Sequence, residues 1–341
     1  MIRRMDDMNT HDISNNQDDN FLLLRNQRVE GNRKLTDKSK ARMRHSRASN
    51  TLKAYHADWK DFTDWCGWKS VRSLPAEPET ITNYINDLAD DAKANTVARR
   101  VTAISENHIA AGFIGDRNPA KASMVRDALS AIRREKGTFQ QGKAPILLET
   151  LYQIALCFGD DIQSLRDRAV IMLGFAGAFR RSELARIQYD ELTFTKQGMI
   201  VFVPRAKGDQ LGKGSEIAIP YAPDNAVCAV SATKNWLDAS GITAGPIFRP
   251  FKSNMELRNT QLSDKSIALI VKKYAELAGF DPKYFAGHSL RRGFATSAAQ
   301  HDVDTLTIMK QTRHKSEKMV HRYIEQGNLF RNNALTKMYH D

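Results

Sequence analysis

The chain is poor in cysteine, and its three cysteines are not paired in sequence. They lie at isolated positions, Cys66, Cys157 and Cys228, among 341 residues. An odd number without close spacing argues against a disulfide framework and against a cysteine-ligated zinc site. A reducing compartment fits this pattern, because disulfide-dependent folds belong mostly to oxidising compartments.

Long apolar runs are also missing. No segment approaches the roughly 18 consecutive apolar residues of a transmembrane helix, and the stretch MIRRMDDMNTHDISNNQDDN has no apolar core of a secretory signal. The glycine-rich stretch Gly212-Lys213-Gly214 does not follow the phosphate-binding loop pattern, and no carboxylate cluster has metal-ligand spacing. We therefore expect a cytoplasmic protein with no membrane partner, no cofactor and no bound metal.

The charge balance, in contrast, is one-sided. The chain has 51 Lys and Arg against 39 Asp and Glu, a net charge of +12, and its pI is about 9.6. A basic chain favours a polyanionic partner, of which nucleic acid is the commonest. Charge alone does not distinguish a nucleic-acid-binding protein from a chain that is merely basic. The sequence motifs have to distinguish them.

Length and composition predict two domains. Residues 1–45 are polar and rich in Asn, Asp, Lys and Arg, which is typical of a disordered arm. A helical domain is predicted over residues 46–136. Residues 137–145, GTFQQGKAP, contain two Gly and one Pro and predict a linker. The second and larger domain then covers residues 146–341.

Four amphipathic helices are predicted in the first domain, and such a set forms a small bundle. Ser49 is expected to cap the first helix, Pro78 to open the second, Asn95 to cap the third, and Asn118-Pro119 to start the fourth. Basic residues follow the polar faces of the last two. Cations opposite an apolar stripe suit contacts with a nucleic-acid backbone, and an ordinary solvated face is the alternative. The candidates for such contacts are Arg99, Arg100, Lys121, Arg126, Arg133 and Arg134.

The second domain is predicted to be mostly helical as well, starting with LLETLYQIALCF and the segment Leu165–Phe175. Three short runs rich in β-branched residues interrupt the helices and predict a small antiparallel sheet with a hairpin. The fold class is therefore mainly α. The predicted strands are Leu192–Phe194, Met199–Val203 and Glu216–Pro220, and the later helices are Asn225–Ala239 and one capped by Ser263.

The segment Gly287–Asp341 concentrates groups that can bind or attack a phosphate. His288 and Arg291 are three residues apart, which places them on one face of a helix. His314 follows, and Tyr323 lies nine residues further. Each residue alone is typical of packing or of a solvated edge. A nucleophilic hydroxyl together with several cations, however, is what attack on a phosphodiester requires.

A second motif, GAFRRSEL, lies far upstream and offers Arg180 in a similarly apolar helix. Glu183, three residues further, is placed to brace a guanidinium group. With these residues the chain resembles the tyrosine recombinase (phage integrase) family, whose pattern is Arg…Lys…His-x-x-Arg…His/Trp…Tyr. The resemblance is carried by GAFRRSELARI, by GHSLRRG and by the tyrosine nine residues after His314.

The resemblance covers residues 46–341. Chain length and the stretch WCGWKSVRSLPAEPETITNYINDLA make the chain most similar to Cre-like site-specific recombinases. Those proteins carry Trp at the position of His314, whereas many other family members carry His. The histidine at this position weakens the similarity to Cre-like proteins and does not affect the resemblance to the family.

The resemblance implies a role for each motif residue. Tyr323 attacks the scissile phosphorus and forms a covalent 3′-phosphotyrosine. Arg180 and Arg291 bind the non-bridging oxygens, where fixed cations stabilise the transition state. His288 acts as the general base, and His314 donates a hydrogen bond to a non-bridging oxygen.

Two assignments have competitors. Lys207, in the predicted hairpin, is implied to protonate the leaving 5′-oxygen, and Lys213 is the competing lysine. Both arginine motifs are doubled, as Arg180-Arg181 and Arg291-Arg292. The residues themselves do not say which arginine acts, and the family pattern favours the first of each pair.

The resemblance also implies partners. They are duplex DNA with inverted-repeat recombination sites, held by the two domains as a C-shaped clamp, and further copies of the chain in a tetramer on two sites. The tail 328–341 is implied to dock into a neighbouring subunit, and folding back onto its own domain is the alternative. A bacterial, phage or plasmid origin and association with the nucleoid are expected.

The predicted function is therefore site-specific DNA recombination, for integration, excision or resolution. A type IB topoisomerase-like enzyme, which relaxes DNA, uses a similar Arg/Lys/Arg/His/Tyr set and is the first alternative. A non-cleaving architectural DNA-binding protein is the second. The short chain and the free-standing helical module favour a recombinase, and the complete set of catalytic positions argues against a non-cleaving protein.

Overall fold

A computed structural model describes residues 49–138, 142–204, 214–314, 316–327 and 338 of the chain. The chain divides into two compact units, Met1–Gln140 and Gln141–Asp341, and each is considered by itself. Within the described ranges no helix is long and apolar enough to cross a membrane.

The first unit is the predicted bundle of four helices. Two predicted starts are wrong by a few residues. The third helix begins at Ala94 with Lys93 as its N-cap, not Asn95. Asn118 does cap a turn, with its side chain accepting from the Ala120 amide, but this is a separate 3₁₀ turn, and extended backbone at Ala122 ends it before the fourth helix. The helices are α1 (Ser49–Trp68), α2 (Pro78–Asp91), α3 (Ala94–Ala110) and α4 (Ser123–Lys136).

A buried histidine joins two parts of this bundle. His108 on α3 is fully buried; its Nε2 accepts from the Ala76 amide at 3.0 Å, and its Nδ1 lies 2.9 Å from the Ile104 carbonyl oxygen. An amide can only donate, so we assign the single proton of a neutral ring to Nδ1. Burial lowers the pKa of His108, which keeps the ring neutral. The loop before α2 is thus fastened to α3.

Two of the predicted DNA-contacting arginines take part in ion pairs inside the bundle. Arg99 pairs with Asp58, and Arg100 pairs with Asp61 and donates to the Tyr84 hydroxyl at 2.7 Å. Asp58 is only 3 % exposed. Burial raises the pKa of the Asp58 carboxyl, while the two guanidinium groups act in the opposite direction. These arginines connect α3 to α1.

The second unit combines eight labelled helices with the predicted three-stranded sheet. The strands are antiparallel and lie side by side in sequence order, with Thr193 opposite Ile200 and Val201 opposite Ile217. The helices are α5 (Leu148–Ala155), α6 (Ile162–Ala176), α7 (Arg181–Leu184), α8 (Ala229–Ser240), α9 (Asp264–Leu277), α10 (His288–Gln300), α11 (Thr305–Thr312) and α12 (Glu317–Gly327). The strands are β1 (Leu192–Phe194), β2 (Gly198–Val203) and β3 (Ser215–Pro220).

The helix predicted over Asn225–Ala239 is two elements. A 3₁₀ turn covers Asn225–Val227, and α8 begins at Ala229 because extended backbone at Cys228 separates them. The predicted cap at Ser263 is confirmed, since its side chain accepts from the Ser266 amide. The mainly helical fold class with a small antiparallel sheet is likewise confirmed.

The core of the second unit fixes the helices that carry the motif residues. Helix α6 is central, with Ala169, Val170 and Ile171 fully buried. Helix α10 runs directly beside the backbone of Ile146, whose amide donates to the Ser289 carbonyl at 3.0 Å. A Cβ at Gly293 would overlap the Ile146 carbonyl, so this approach requires glycine there.

Candidate active site

Arg180 stands at a turn rather than inside a helix. Helix α6 ends at Ala176, and Arg180 is the N-cap of the short helix α7 with extended backbone. The expectation of an apolar helix at this position is therefore wrong. The positive φ of Ala178 (φ 44) is incompatible with a continuing right-handed helix. Glu183 Oε1 accepts from Arg180 Nη1 at 2.6 Å, and Glu183 Oε2 accepts from the Arg180 amide at 3.0 Å.

Arg291 is buried one turn into α10. It is 1 % exposed, and its Nη1 donates to the Ala178 carbonyl at 2.7 Å. Its Nη2 is buried without a hydrogen-bond partner among the described residues. Burial, with the positive charges of Arg180 and Arg313, lowers the pKa of Arg291 to about 9. A buried donor in a positive environment is suited to an anion that enters from outside.

His288 is the first residue of α10 and is exposed. Partial desolvation lowers its pKa, and the charges of Arg291 and Arg180 act in the same direction. The imidazole is therefore neutral at neutral pH, the form that a general base requires.

His314 follows α11 and is held by Thr312. Its Nδ1 lies 2.8 Å from the Thr312 hydroxyl oxygen, and that hydroxyl donates to the Ile308 carbonyl at 2.6 Å. Because a carbonyl can only accept, the hydroxyl proton is committed to Ile308, and we infer that His314 Nδ1 donates to the hydroxyl oxygen. The remaining nitrogen, Nε2, then has no proton while the ring is neutral.

This tautomer bears on the predicted role of His314. Desolvation, followed by the charges of Arg291 and Arg180, lowers the pKa of His314 to about 4. A hydrogen bond from Nε2 to a phosphate oxygen therefore needs a proton that the ring lacks at neutral pH. The negative charge of a bound phosphate would favour that protonation.

Tyr323 on α12 lies beside these groups. It is 7 % exposed and packs with Ala295 and Ala299 of α10 and Ile308 of α11. Its ring centroid is 5.7 Å from that of His314. The Arg292 guanidinium carbon lies 6.0 Å from the same ring centroid, and Tyr323 also influences the pKa of Arg291.

The structure thus brings together five of the six predicted catalytic residues, with the predicted brace Glu183 at Arg180, and it gives the second arginine of each doubled motif different partners from the first. Arg181 pairs with Asp264 at 3.7 Å. Arg292 donates to the Lys143 carbonyl, and its guanidinium carbon lies 6.0 Å from the ring centroid of Tyr323. Lys207 and its competitor Lys213 lie outside the described residues. The residues brought together are Arg180, His288, Arg291, His314 and Tyr323.

The sequence reasoning missed Arg313. Its guanidinium donates to Glu183 Oε2 at 3.0 Å and to the Ala178 carbonyl at 3.2 Å. Its side chain is 8 % exposed. The one sequence feature that could have indicated it is its position directly before His314. An arginine there could equally well have faced solvent.

The candidate DNA-contacting cations of the first unit fall into two groups. Lys121, Arg126, Arg133 and Arg134 are exposed on α4 and just before it. Arg99 and Arg100 form the ion pairs described above. Among the described residues of both units, no group of three or more His, Cys, Asp or Glu side chains could hold a metal ion.

Residues 147–328 match the sequence profile of the phage integrase family. An integrase/recombinase XerD homolog from Selenomonas ruminantium is 69 % identical, over 94 % of this chain and 94 % of that protein. The structure of the XerH site-specific recombinase bound to a palindromic difH substrate, a post-cleavage complex, aligns with a TM-score of 0.64 and 15 % identity over 95 % of this chain and 97 % of that one.

A second solved structure is the Tn1549 transposon integrase in complex with transposon right-end DNA. It aligns with a TM-score of 0.59 and 15 % identity, over 92 % of this chain and 99 % of that one. At such identities the two structures support the fold. The profile match and the 69 % identical relative go further, and the chain belongs to the phage integrase family of tyrosine recombinases.

Proposed function

We propose that this chain is a site-specific recombinase that cuts and rejoins duplex DNA through a 3′-phosphotyrosine. The observation that carries the proposal is the buried Nη2 of Arg291, which has no partner among the described residues. Arg180 and Tyr323 both influence the pKa of this arginine. A phosphodiester is the anion that such a cluster can bind while a hydroxyl attacks it.

In the proposed reaction the Tyr323 oxygen forms a bond to the scissile phosphorus, and the bond from phosphorus to the 5′-oxygen breaks. Negative charge builds on the non-bridging oxygens, where Arg180 and Arg291 lie ready to neutralise it. The phosphotyrosine keeps the ester, so a 5′-hydroxyl of another strand can attack it and release the tyrosine. Cleavage and joining are thus the same step run in two directions.

Proton transfer is assigned to three side chains. The neutral His288 takes the Tyr323 proton as general base. Lys207, outside the described residues, gives a proton to the leaving 5′-oxygen. His314 binds a non-bridging oxygen once the phosphate has favoured its protonation, because the neutral tautomer has no proton on Nε2.

Duplex DNA is the proposed partner of both units. The exposed cations of α4 support contact with the DNA backbone, since each Lys or Arg that neutralises a phosphate releases counterions. The structures of XerH and of the Tn1549 integrase hold DNA. Arg99 and Arg100 are weaker candidates than the sequence suggests, because Asp58 and Asp61 already neutralise them.

Assembly into a tetramer on two DNA sites, through the tail 328–341, is the finer part of the proposal. The tail lies outside the described residues, and its support is the stripe formed by Leu329, Phe330 and Leu335 in the sequence. A chain ending at Gln326 should bind one half-site but lose cooperative binding and recombination. A gel-shift titration on a duplex with two half-sites measures this, and unchanged cooperativity with intact recombination would assign the tail to local packing.

The recombinase proposal is tested by joining. The DNA is a duplex with the sequence that the protein selects from a randomised pool, present both as two separate fragments and in a supercoiled plasmid. A recombinase joins the separate fragments into a new product. Relaxation of the plasmid without any joined product would favour the topoisomerase-like alternative, and binding without either product would favour the architectural one.

A further inference from the structure

Arg313 occupies a backbone conformation that does not favour an arginine. It follows α11 in the left-handed region, with φ 55 and ψ 41. Glycine adopts this conformation readily at the end of a helix, whereas any Cβ makes it less favourable. The side chain is also 8 % exposed, so a charge is buried on an unfavourable backbone. Strain of this kind points to a task for the side chain.

The contacts of Arg313 converge on the turn between α6 and α7. Its Nη1 donates to the Gly177 carbonyl at 3.1 Å. Its Nη2 donates to the Ala178 carbonyl at 3.2 Å and to Glu183 Oε2 at 3.0 Å. Its guanidinium carbon lies 5.0 Å from the ring centroid of Phe179. One planar group thus holds two carbonyls, a carboxylate and an aromatic face, which its fork geometry allows.

Two of these acceptors also hold the proposed phosphate-binding arginines. The Ala178 carbonyl accepts from Arg291 Nη1 at 2.7 Å. Glu183 accepts from Arg180 Nη1 at 2.6 Å through its other oxygen, Oε1. Arg313 therefore contacts the group that anchors each of the two arginines, although it is remote in sequence from both.

We propose that Arg313 is a positioning residue for strand cleavage, which holds Glu183 and the Ala178 carbonyl and thereby sets the placement of Arg180 and Arg291. The inference rests on the function proposed above. Arg313 also takes up part of the charge of Glu183. Without it Glu183 would neutralise Arg180 alone and would leave that guanidinium less positive toward the phosphate.

The test compares Arg313→Gly with Arg313→Ala. Both variants remove the guanidinium; glycine relieves the backbone conformation, and alanine retains the strain. The substrate is a nicked duplex with the sequence that the wild-type protein selects from a randomised pool, and the rate of covalent adduct formation is measured at saturating DNA. Arg258→Ala is the control, because it removes an exposed arginine outside the cluster.

Both Arg313 variants should form the adduct about 100-fold more slowly, since a misplacement of about 1 Å is enough for a loss of that size. Their affinity for the duplex should not change. A wild-type rate in both variants would overturn the proposal. So would a normal rate with glycine and a slow one with alanine, because the backbone alone would then be responsible.

A modified substrate separates positioning from a general loss of structure. A methylphosphonate at the mapped cleavage position replaces one non-bridging oxygen by a neutral methyl group, so less charge has to be stabilised. It should restore part of the lost rate in Arg313→Gly, as in Arg180→Ala, but none in Tyr323→Phe. Rescue of Arg180→Ala without rescue of Arg313→Gly would contradict a role that acts through Arg180.

A third variant covers the case in which the glycine variant does not fold, as judged by circular dichroism. Arg313→Lys keeps the charge, but one ammonium group cannot reproduce the fork that holds three acceptors. It should be slow and rescued by the methylphosphonate, and a wild-type rate would overturn the proposal. Failure of the underlying function would look different, since the wild-type protein itself would then form no adduct.

Discussion

The two units of the chain use arginine in opposite ways. In the first unit Arg99 and Arg100 meet Asp58 and Asp61, so two cations face two carboxylates. In the second unit Arg180 and Arg313 share Glu183. Arg291 forms no ion pair with the residues that the structure describes. In the first arrangement each cation meets a carboxylate. In the second, there are three cations for one carboxylate, so positive charge remains for a ligand.

The pKa values reflect this difference. Burial raises the pKa of Asp58, the ordinary response of a carboxyl that leaves water, and the paired arginines limit that rise. In the second unit burial and neighbouring arginines lower the pKa of Arg291 to about 9 and that of His314 to about 4. Like charges held together without an anion destabilise the fold, and such clusters are typical of functional sites.

The largest effect is expected when an arginine is removed from the cluster of the second unit. Arg291→Ala should lower the rate of covalent adduct formation by about 100- to 1000-fold, the loss typical of a preorganised donor. Affinity for DNA should remain, because one phosphate contact among many is lost. The measurement is adduct formation on a nicked duplex at saturating DNA, together with a gel shift.

Arg100→Ala is the matched variant among the ion pairs of the first unit. It leaves the buried Asp58 and the exposed Asp61 with fewer partners and should lower the free energy of unfolding by about 1–3 kcal/mol. The cleavage rate at saturating DNA should stay normal. If Arg100→Ala slowed cleavage of bound DNA, or if Arg291→Ala affected only stability, the contrast between the two units would be wrong.

A smaller effect is expected from pH on the first unit. His108 is neutral when folded, and its folded pKa lies below its usual value of about 6.5. Below that pH the unfolded chain binds more protons than the folded one, so stability is present above pH ~6.5 and is lost as the pH falls toward the folded pKa. The protection of the α3 amides from hydrogen exchange, after correction for the intrinsic exchange rate at each pH, should therefore decrease with acidification.

His108→Gln provides the control for this pH dependence. Its amide group can accept from Ala76 and donate to Ile104 without titrating. Exchange along α3 in this variant should be insensitive to pH over the same range, after correction for intrinsic exchange. An unchanged pH dependence would assign the acid sensitivity to other groups of the bundle.

The smallest effect concerns the salt dependence of DNA binding. Neutralisation of one phosphate contributes about −0.9 to the slope of log affinity against log salt. Arg126→Gln, on the exposed face of α4, should make the slope shallower by about that amount. Arg100→Gln should leave it unchanged, because Arg100 is already paired. An equal change in both slopes would mean that the ion pairs open on DNA.

Local patterns were sufficient for much of the fold. Apolar periodicity predicted the four helices of the bundle, and β-branched runs predicted the three strands. The spacing of His288 and Arg291 placed both on α10, because three residues make nearly one helical turn. Such predictions hold where a local signal and the final environment agree.

The sequence could not predict which cations are neutralised. Arg100 and Arg126 both lie off the apolar stripe of their helices, but α3 brings Arg100 against Asp61 of α1, and no local pattern contains that contact. Arg313 was missed for the same reason: its partner Glu183 is remote in sequence. The turn at Ala178 was unexpected because GFAGAF reads as a continuing apolar helix.

The most direct test of the proposed mechanism is the removal of one oxygen atom. Tyr323→Phe retains the ring that packs between α10 and α11 and removes the hydroxyl that we assign as the nucleophile. On a nicked duplex that traps the intermediate, the wild-type protein should give a shifted band on a denaturing gel, and the variant should bind the DNA equally well and give none. A shifted band of wild-type strength from Tyr323→Phe would contradict the account and move the nucleophile elsewhere, with Tyr339, outside the described residues, as the next candidate.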